Sequence, residues 1–264
     1  MTNALYAAAT ELFEYTCDLR RDFHRHPELG YQEHRTADVI VRELEKLDLQ
    51  ITTGVAKTGI VALMKGGHPG PTILLRADMD ALPIQEETGL EYASETPGVM
   101  HACGHDGHIA VLLTVARILN DLKQDLRGSI KFMFQPAEEG GFGAERMIEE
   151  GILKDPLVDA ALALHLWNDR PVGWVAIVPG PLMAGADFFS IRIEGKGGHG
   201  ASPSQTIDPI VTAAHIVTAI QTIVSRNVSP LKSAVVSVTQ LTAGNTFNVI
   251  PPEAEIHGTI TLKV

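Results

Sequence analysis

The chain is poor in cysteine, in long apolar runs and in basic charge, and each shortage excludes something. Two cysteines among 264 residues, Cys17 and Cys103, are too few for a disulfide framework, which leaves them as thiols or thiolates. The longest apolar stretches, such as Ile109 to Leu119 and Val158 to Leu164, stop well short of the roughly 20 residues that cross a bilayer. No basic n-region or small-residue cleavage site precedes Glu11 and Glu14, so a cytoplasmic protein with no membrane partner is expected. Lys and Arg number 21 against 32 Asp and Glu, a net charge of -11. That balance repels a phosphate backbone, so nucleic acid is not expected as a partner. What remains, 45% apolar and 20% charged, is an ordinary globular chain able to bury one large core or two modest ones.

Apolar positions Leu5, Ala8, Leu12, Leu19 and Phe23 keep a helical period, as do Val39, Ile40, Leu44 and Leu47. The break His26-Pro27-Glu28-Leu29-Gly30 separates the two helices they predict. Two β-rich runs follow, Gly59 to Lys65 and Thr72 to Ala77, and the turn cluster between them predicts neighbouring strands. Helices near 107–119 and 144–150 then alternate with strands near 129–134 and 159–164. Such alternation predicts an α/β domain with a mostly parallel sheet flanked by helices. The segment Pro179-Gly180-Pro181 to Gly185 reads as a linker, with a first domain over residues 1–181. Residues 182–264 predict a smaller α+β unit: a strand near 188–194, a helix capped by Asp208 with Pro209 in its first turn, and strands near 233–241 and 254–262. The chain stops inside that last strand, at Thr261-Leu262-Lys263-Val264. A unit that ends there leaves an unpaired edge or a missing piece, so a C-terminally truncated sequence is expected.

Of eleven histidines, three fall in His101-Ala102-Cys103-Gly104-His105-Asp106-Gly107-His108. A thiol and several imidazoles just before a helix suit a borderline-soft divalent metal; the plain alternative is a polar loop with Asp106 as helix cap. Glu138-Glu139 follows the strand ending at Phe134, at the carboxyl end where open α/β sheets place ligands. One carboxylate could bind metal while the other faces an activated water. Asp78 and Asp80 follow the strand ending at Ala77, and His165 closes the strand Ala160 to Leu164. Each alone would be a turn former or a structural residue; together they occupy the ends of successive core strands. A divalent ion lowers the pKa of water from about 15.7 to about 7, and a carboxylate base beside it can take the proton. A Cys103 nucleophile paired with His105 or His108 is the alternative chemistry. In the second unit, the glycine-rich segment Gly195 to Pro203 lacks the spacing of a phosphate cradle. It reads better as a mobile loop presenting His199 to a developing oxyanion. His24, His26, His34, His68, His215 and His257 read as structural or exposed.

Several stretches, in one order along the chain, together resemble the metal-dependent amidohydrolases of the aminoacylase and carboxypeptidase family. They are His24 to Leu29, Leu75 to Pro83, Met100 to His108, Phe134 to Gly141, His199 to Pro203, and Asn248 to Pro251. The resemblance is to the branch that holds hippurate hydrolase, N-acetyldiaminopimelate deacetylase and the indole-acetyl-amino-acid hydrolases. It implies a zinc-peptidase-like catalytic domain over 1–181 and an incomplete, ferredoxin-like lid and dimerisation domain over 182–264. It implies Cys103, His105, Glu139 and His165 as ligands of one or two divalent ions (zinc, manganese, nickel or cobalt). Glu138 would be the general base, Asp80 the carboxylate that orients a ligand histidine, His199 the lid residue that polarises the scissile carbonyl, and Asn248 a lining residue of the substrate pocket. The expected substrate is an N-acyl amino acid or short peptide, and the expected assembly a homodimer through the lid. Relatives extend further and supply a last histidine ligand, so a catalytically impaired metal-binding fragment is the alternative outcome. A non-catalytic fold that binds a partner through the helix from Asp208 to Val224 is the reading outside enzymes.

Overall fold

The computed structural model describes residues 2–180 and 182–262. The chain divides into two compact units, Met1–Pro171 and Val172–Val264. This division falls earlier than the expected boundary after residue 181. Pro181, in the expected linker, lies outside the described residues.

The N-terminal unit runs α1 (Thr2–Glu11), α2 (Phe13–Arg25), α3 (His34–Leu44), β1 (Gln50–Val55), β2 (Gly59–Lys65), β3 (His68–Asp78), α4 (His105–Asp121), β4 (Arg127–Gln135), α5 (Gly143–Glu149) and β5 (Ala160–Ala163). Its five strands form one sheet in the order β1-β2-β4-β3-β5. Side chains alternate across it, as the period of two requires. Ile60, Ala62 and Met64 of β2, Ala77 of β3, and Phe132 and Phe134 of β4 pack with Phe23 of α2, Ile40 and Leu44 of α3, and Ile109 and Leu113 of α4. Leu74 and Met133 point to the other face and meet Met147 of α5. Helices therefore cover both faces.

Two expectations are corrected. The sheet is mixed, because β3 pairs in parallel with β4 and β5 whereas β2 pairs antiparallel with β1 and β4. Nor are β2 and β3 neighbours; β4 lies between them. The turn after β2 does not fold back on its own strand. Its Gly66, Gly67 and His68 amides donate to the carbonyls of Gly128, Lys123 and Leu126, the segment leading into β4. The connection thus passes over the start of β4. The parallel half, β4-β3-β5, places three strand carboxyl ends on one rim.

The C-terminal unit contains β6 (Gly185–Glu194), β7 (Gly198–His199), α6 (Pro209–Thr222), β8 (Ala234–Ala243), β9 (Val249–Ile250) and β10 (Glu253–Leu262). The strands form an antiparallel sheet β6-β10-β8 and a two-stranded pair β7-β9. As expected, Asp208 caps α6, its Oδ1 accepting from the amides of Ile210 and Val211, with Pro209 at the first position. Ala213, Ile216 and Val217 of that helix pack on Ile193, Ala254 and Ile256. The last strand, β10, is central in its sheet and paired on both sides up to Leu262, with β6 and β8 at the edges. Lys263 and Val264, the end of the expected strand, lie outside the described residues. Among the described residues, no helix is long and apolar enough to cross a membrane.

Candidate metal centre

Asp78 ends β3, the loops leaving β3, β4 and β5 carry Asp80, Glu138 and Glu139, and His165, and α4 begins at His105. The shared rim brings these side chains together. Cys103 Sγ lies 3.5 Å from His165 Nε2. His105 Nε2 lies 3.8 Å from Glu138 Oε2 and 4.0 Å from Glu139 Oε1. Donor atoms of Cys103, His105 and His165 fall within 4.8 Å of one another, and so do those of His105, Glu138 and Glu139. His105 is common to both sets.

The hydrogen bonds determine which nitrogens face the site. His105 Nδ1 lies 2.9 Å from the backbone carbonyl of Asp80, so Nδ1 carries the proton and donates it. Nε2 is then turned toward the site, buried and without a hydrogen-bond partner. His165 Nδ1 likewise donates to the carbonyl of Leu166 at 2.6 Å, which leaves its Nε2 facing Cys103. Asp80 positions two of these groups: Oδ1 lies 3.4 Å from His105 Nδ1, and Oδ2 accepts from the Glu139 amide at 2.9 Å. His108 is different. Its Nδ1 bonds Asp78 Oδ1 at 2.6 Å and its Nε2 accepts from the Leu166 amide at 2.9 Å. Although Asp78, His105 and His108 also present closely spaced donor atoms, both nitrogens of His108 are engaged. It ties the end of β5 to α4 rather than offering a ligand atom.

The charge balance suits a cation. Burial works against a protonated His105, but the bonds to Asp80 and Cys103 and the charges of Asp78 and Asp80 outweigh it and push its pKa up to about 11. Burial would raise Asp78, yet the His108 bond and the charges of His105 and Arg76 hold it down at about 2. Asp80 is lowered in the same way, burial being overcome by His105 and by the amides of Glu139 and Glu138. Burial and the neighbouring Glu139 raise Glu138. An imidazole that holds a proton this firmly marks a pocket with surplus negative potential. An orphaned, buried imidazole nitrogen among a thiol, a second imidazole and carboxylates is a donor set that fits a borderline-soft divalent ion.

His101 belongs to neither donor set; it is buried, its ring nitrogens lack partners, and burial lowers its pKa to about 4. Asp106 does not cap α4, whose N-cap is Gly104. Instead its Oδ2 accepts from His24 Nδ1 at 2.8 Å and Arg20 Nε at 3.1 Å, and His24 Nε2 lies 3.2 Å from Glu86. His24 is thus a buried link behind the ligand loop, which its place in a helical pattern does not reveal. The Asp106 bond raises its pKa against burial, with help from Glu86. A raised histidine stabilises the fold fully below its ordinary 6.5 and loses that contribution as pH climbs through the higher folded value. His24→Gln should therefore flatten the fall in stability above neutral pH, read as urea midpoints from pH 6 to 9.

His199 and Asn248 lie in the C-terminal unit, brought together there by the β7-β9 pair: His199 pairs with Val249, and the Gly200 amide donates to the Asn248 carbonyl at 2.8 Å. His199 Nδ1 accepts from the Ala201 amide at 3.1 Å, which places its proton on Nε2.

A sequence model described as peptidase family M20/M25/M40 matches residues 74–261. The chain belongs to this family. Its M20-type stretch covers the rim of the N-terminal unit and most of the C-terminal unit. The chain is 50% identical over 242 residues to the N-acyl-L-amino acid amidohydrolase of Geobacillus stearothermophilus, covering 91% of this chain and 65% of that protein. It is 48% identical over 244 residues to the N-acetylcysteine deacetylase of Bacillus subtilis, covering 92% and 64%. It therefore spans just under two thirds of the length of these curated relatives. Among solved structures, a Bacillus subtilis protein described as a dinuclear metal-binding peptidase of the M20 family superposes with a TM-score of 0.75 at 41% identity, covering 97% of this chain and 65% of that one.

Proposed function

We propose that this chain carries the metal-binding part of a hydrolase that cleaves the amide bond of N-acyl amino acids. One observation carries the reading: His105 Nε2, buried and unpartnered, joins the Cys103 and His165 pair to the adjacent carboxylates of Glu138 and Glu139. The amidohydrolase and deacetylase relatives supply the substrate class.

Cys103, His105, Glu139 and His165 would hold one or two divalent ions. A bound ion supplies Lewis acidity toward the amide carbonyl and makes a neighbouring water easier to ionise. Glu138 takes the proton from that water and returns it to the departing amine. Asp80 keeps His105 in the tautomer with Nε2 free and fixes the Glu139 backbone, the outer-shell role on which metal sites depend. His199, with its proton on Nε2, is assigned the hydrogen bond to the carbonyl oxygen, and Asn248 a place along the substrate. A cytoplasmic homodimer formed through the C-terminal unit completes the reading. It is supported by apolar side chains that this unit leaves exposed, among them Phe188, Ile207 and Val211.

The 3.5 Å contact between Cys103 Sγ and His165 Nε2 also favours a second reading, a thiol hydrolase, with His165 in place of the expected His105 or His108 as partner. A chelator separates the two. Treatment with EDTA is expected to abolish release of amino acid from N-acyl substrates, and zinc, manganese or cobalt to restore it. Alkylation of Cys103 should be slow in metal-saturated protein and fast after EDTA. Activity that survives EDTA but not alkylation assigns the thiol mechanism; stoichiometric metal without turnover leaves a binding module.

A further inference from the structure

The segment Glu28 to Glu33 touches the site's loops at three points, and none of these residues offers a ligand atom. Ala81, next to Asp80, donates its amide to the Glu28 carbonyl at 2.8 Å. Tyr31 donates its hydroxyl to the Gly141 carbonyl at 2.6 Å. Glu33, fully buried, accepts from the Ala137 amide at 2.8 Å through Oε1 and from the Thr58 hydroxyl at 2.6 Å through Oε2.

Ala137 is the residue before Glu138, and its φ of 49° lies in the left-handed region that costs a side-chain-bearing residue about 1 kcal/mol or more. Such a conformation persists only when its surroundings enforce it. Space around Ala137 is equally constrained: a Cβ on Gly30 would come within 3.0 Å of the Ala137 Cβ, and one on Gly141 within 2.5 Å. The turn from Ala137 to Gly141 is thus clasped by small residues at its sides and by Glu33 and Tyr31 at its two ends.

We propose that Glu33 is a positioning residue: by holding the Ala137 amide it keeps the chain in the left-handed turn that aims Glu138 and Glu139 into the site. The inference deepens the hydrolase reading and rests on it for its kinetic consequence, though not for its structural one. The Thr58 bond makes the contrast testable, because Thr58 lies in the turn between β1 and β2 and its hydroxyl donates to Glu33 rather than to a ligand or to Glu138. Loss of that bond weakens the fold without freeing the Ala137 amide.

The experiment compares Glu33→Ala, Glu33→Gln and Thr58→Val with the parent chain. Amide hydrogen exchange is followed in the peptide covering residues 136–143, beside cobalt affinity and steady-state hydrolysis of an N-acetyl amino acid. Glu33→Ala is expected to speed exchange in that peptide, to weaken cobalt binding about tenfold and to lower kcat by about 10–100-fold with little change in KM. Glu33→Gln should keep all three near the parent, since its carbonyl can accept from Ala137 while its amide donates to Thr58. Thr58→Val should lower the melting temperature yet leave the peptide and kcat as in the parent. Should Glu33→Ala not fold, Glu33→Asp keeps the carboxylate but withdraws it from Ala137 and carries the same comparison. Parent-like exchange in Glu33→Ala, or equal loosening in Thr58→Val, would overturn the proposal. A parent chain that hydrolyses no N-acyl amino acid while Glu33→Ala still loosens the turn would instead sink the hydrolase reading and leave the brace standing.

Discussion

Glu138→Gln is expected to lower turnover of an N-acyl amino acid by about 10²- to 10⁴-fold while the metal content per chain stays that of the parent. The two adjacent carboxylates both face His105. Glu139 has its amide fixed by Asp80 Oδ2, and its carboxylate lies 4.0 Å from His105 Nε2. Glu138, whose amide also faces the Asp80 carboxylate, projects from the left-handed Ala137 with its Oε2 3.8 Å from the same nitrogen. Burial and the negative Glu139 raise its proton affinity, which suits a group that must accept a proton and later release it. Glutamine keeps the volume and one acceptor oxygen but cannot take up a proton. Turnover would be read as amine release and metal by elemental analysis of the dialysed protein. Parent-like turnover would remove Glu138 from the base role, and loss of metal together with turnover would make it a ligand instead. Glu139→Gln is the matched control, for which metal content should fall.

Much of this site is legible in the sequence because it lies at element ends. Strands β3, β4 and β5 are short apolar runs, each followed within a few residues by Asp, Glu or His, and parallel pairing of three such runs puts those residues on one rim whatever the rest of the sheet does. The helix starting at His105 is equally visible in the spacing of Ile109, Leu112, Leu113 and Ala116. What a sequence pattern cannot supply is the order of strands. Two apolar runs separated by a glycine and proline turn read as neighbours, yet the amides of that turn bond to the segment ahead of β4, a contact some sixty residues away in the chain. Strand β1 escapes for a different reason: Gln50 to Val55 has mostly exposed side chains and little apolar alternation. The supporting residues are the least legible. His24 sits in a helical pattern like any flank residue, and only the fold reveals Asp106 and Glu86 on either side of it. Glu33 precedes a helix and looks like an ordinary acidic residue at a first turn, favoured there by the helix dipole. Its carboxylate instead reaches Ala137 across 104 positions of sequence.

Replacement of His105 by alanine should have the second large effect, and on binding before catalysis. Cys103 and His165 on one side and Glu138 and Glu139 on the other share this single imidazole, so its removal depletes both donor sets. Disturbing an outer-shell partner of a metal ligand typically costs about 10- to 100-fold in affinity. Loss of the ligand itself should exceed that, a weakening of cobalt or zinc binding by about 100-fold or more, with turnover falling in parallel. Asp80→Asn provides the graded case. An asparagine leaves the backbone carbonyl that accepts from His105 Nδ1 in place but replaces the carboxylate 3.4 Å from the same nitrogen and can turn an amide toward the Glu139 N–H. Its affinity should therefore fall between parent and His105→Ala. The metal-free proteins supply a further contrast. In the parent, His105 lies between Asp78 and Asp80, and its positive charge offsets theirs. Alanine leaves two buried carboxylates with less opposing charge, so metal-free His105→Ala should melt below the metal-free parent. Parent-like metal affinity in His105→Ala would show that the two donor sets do not depend on their shared residue, and the centre would then have to be assembled from Cys103, His165 and Glu139 alone.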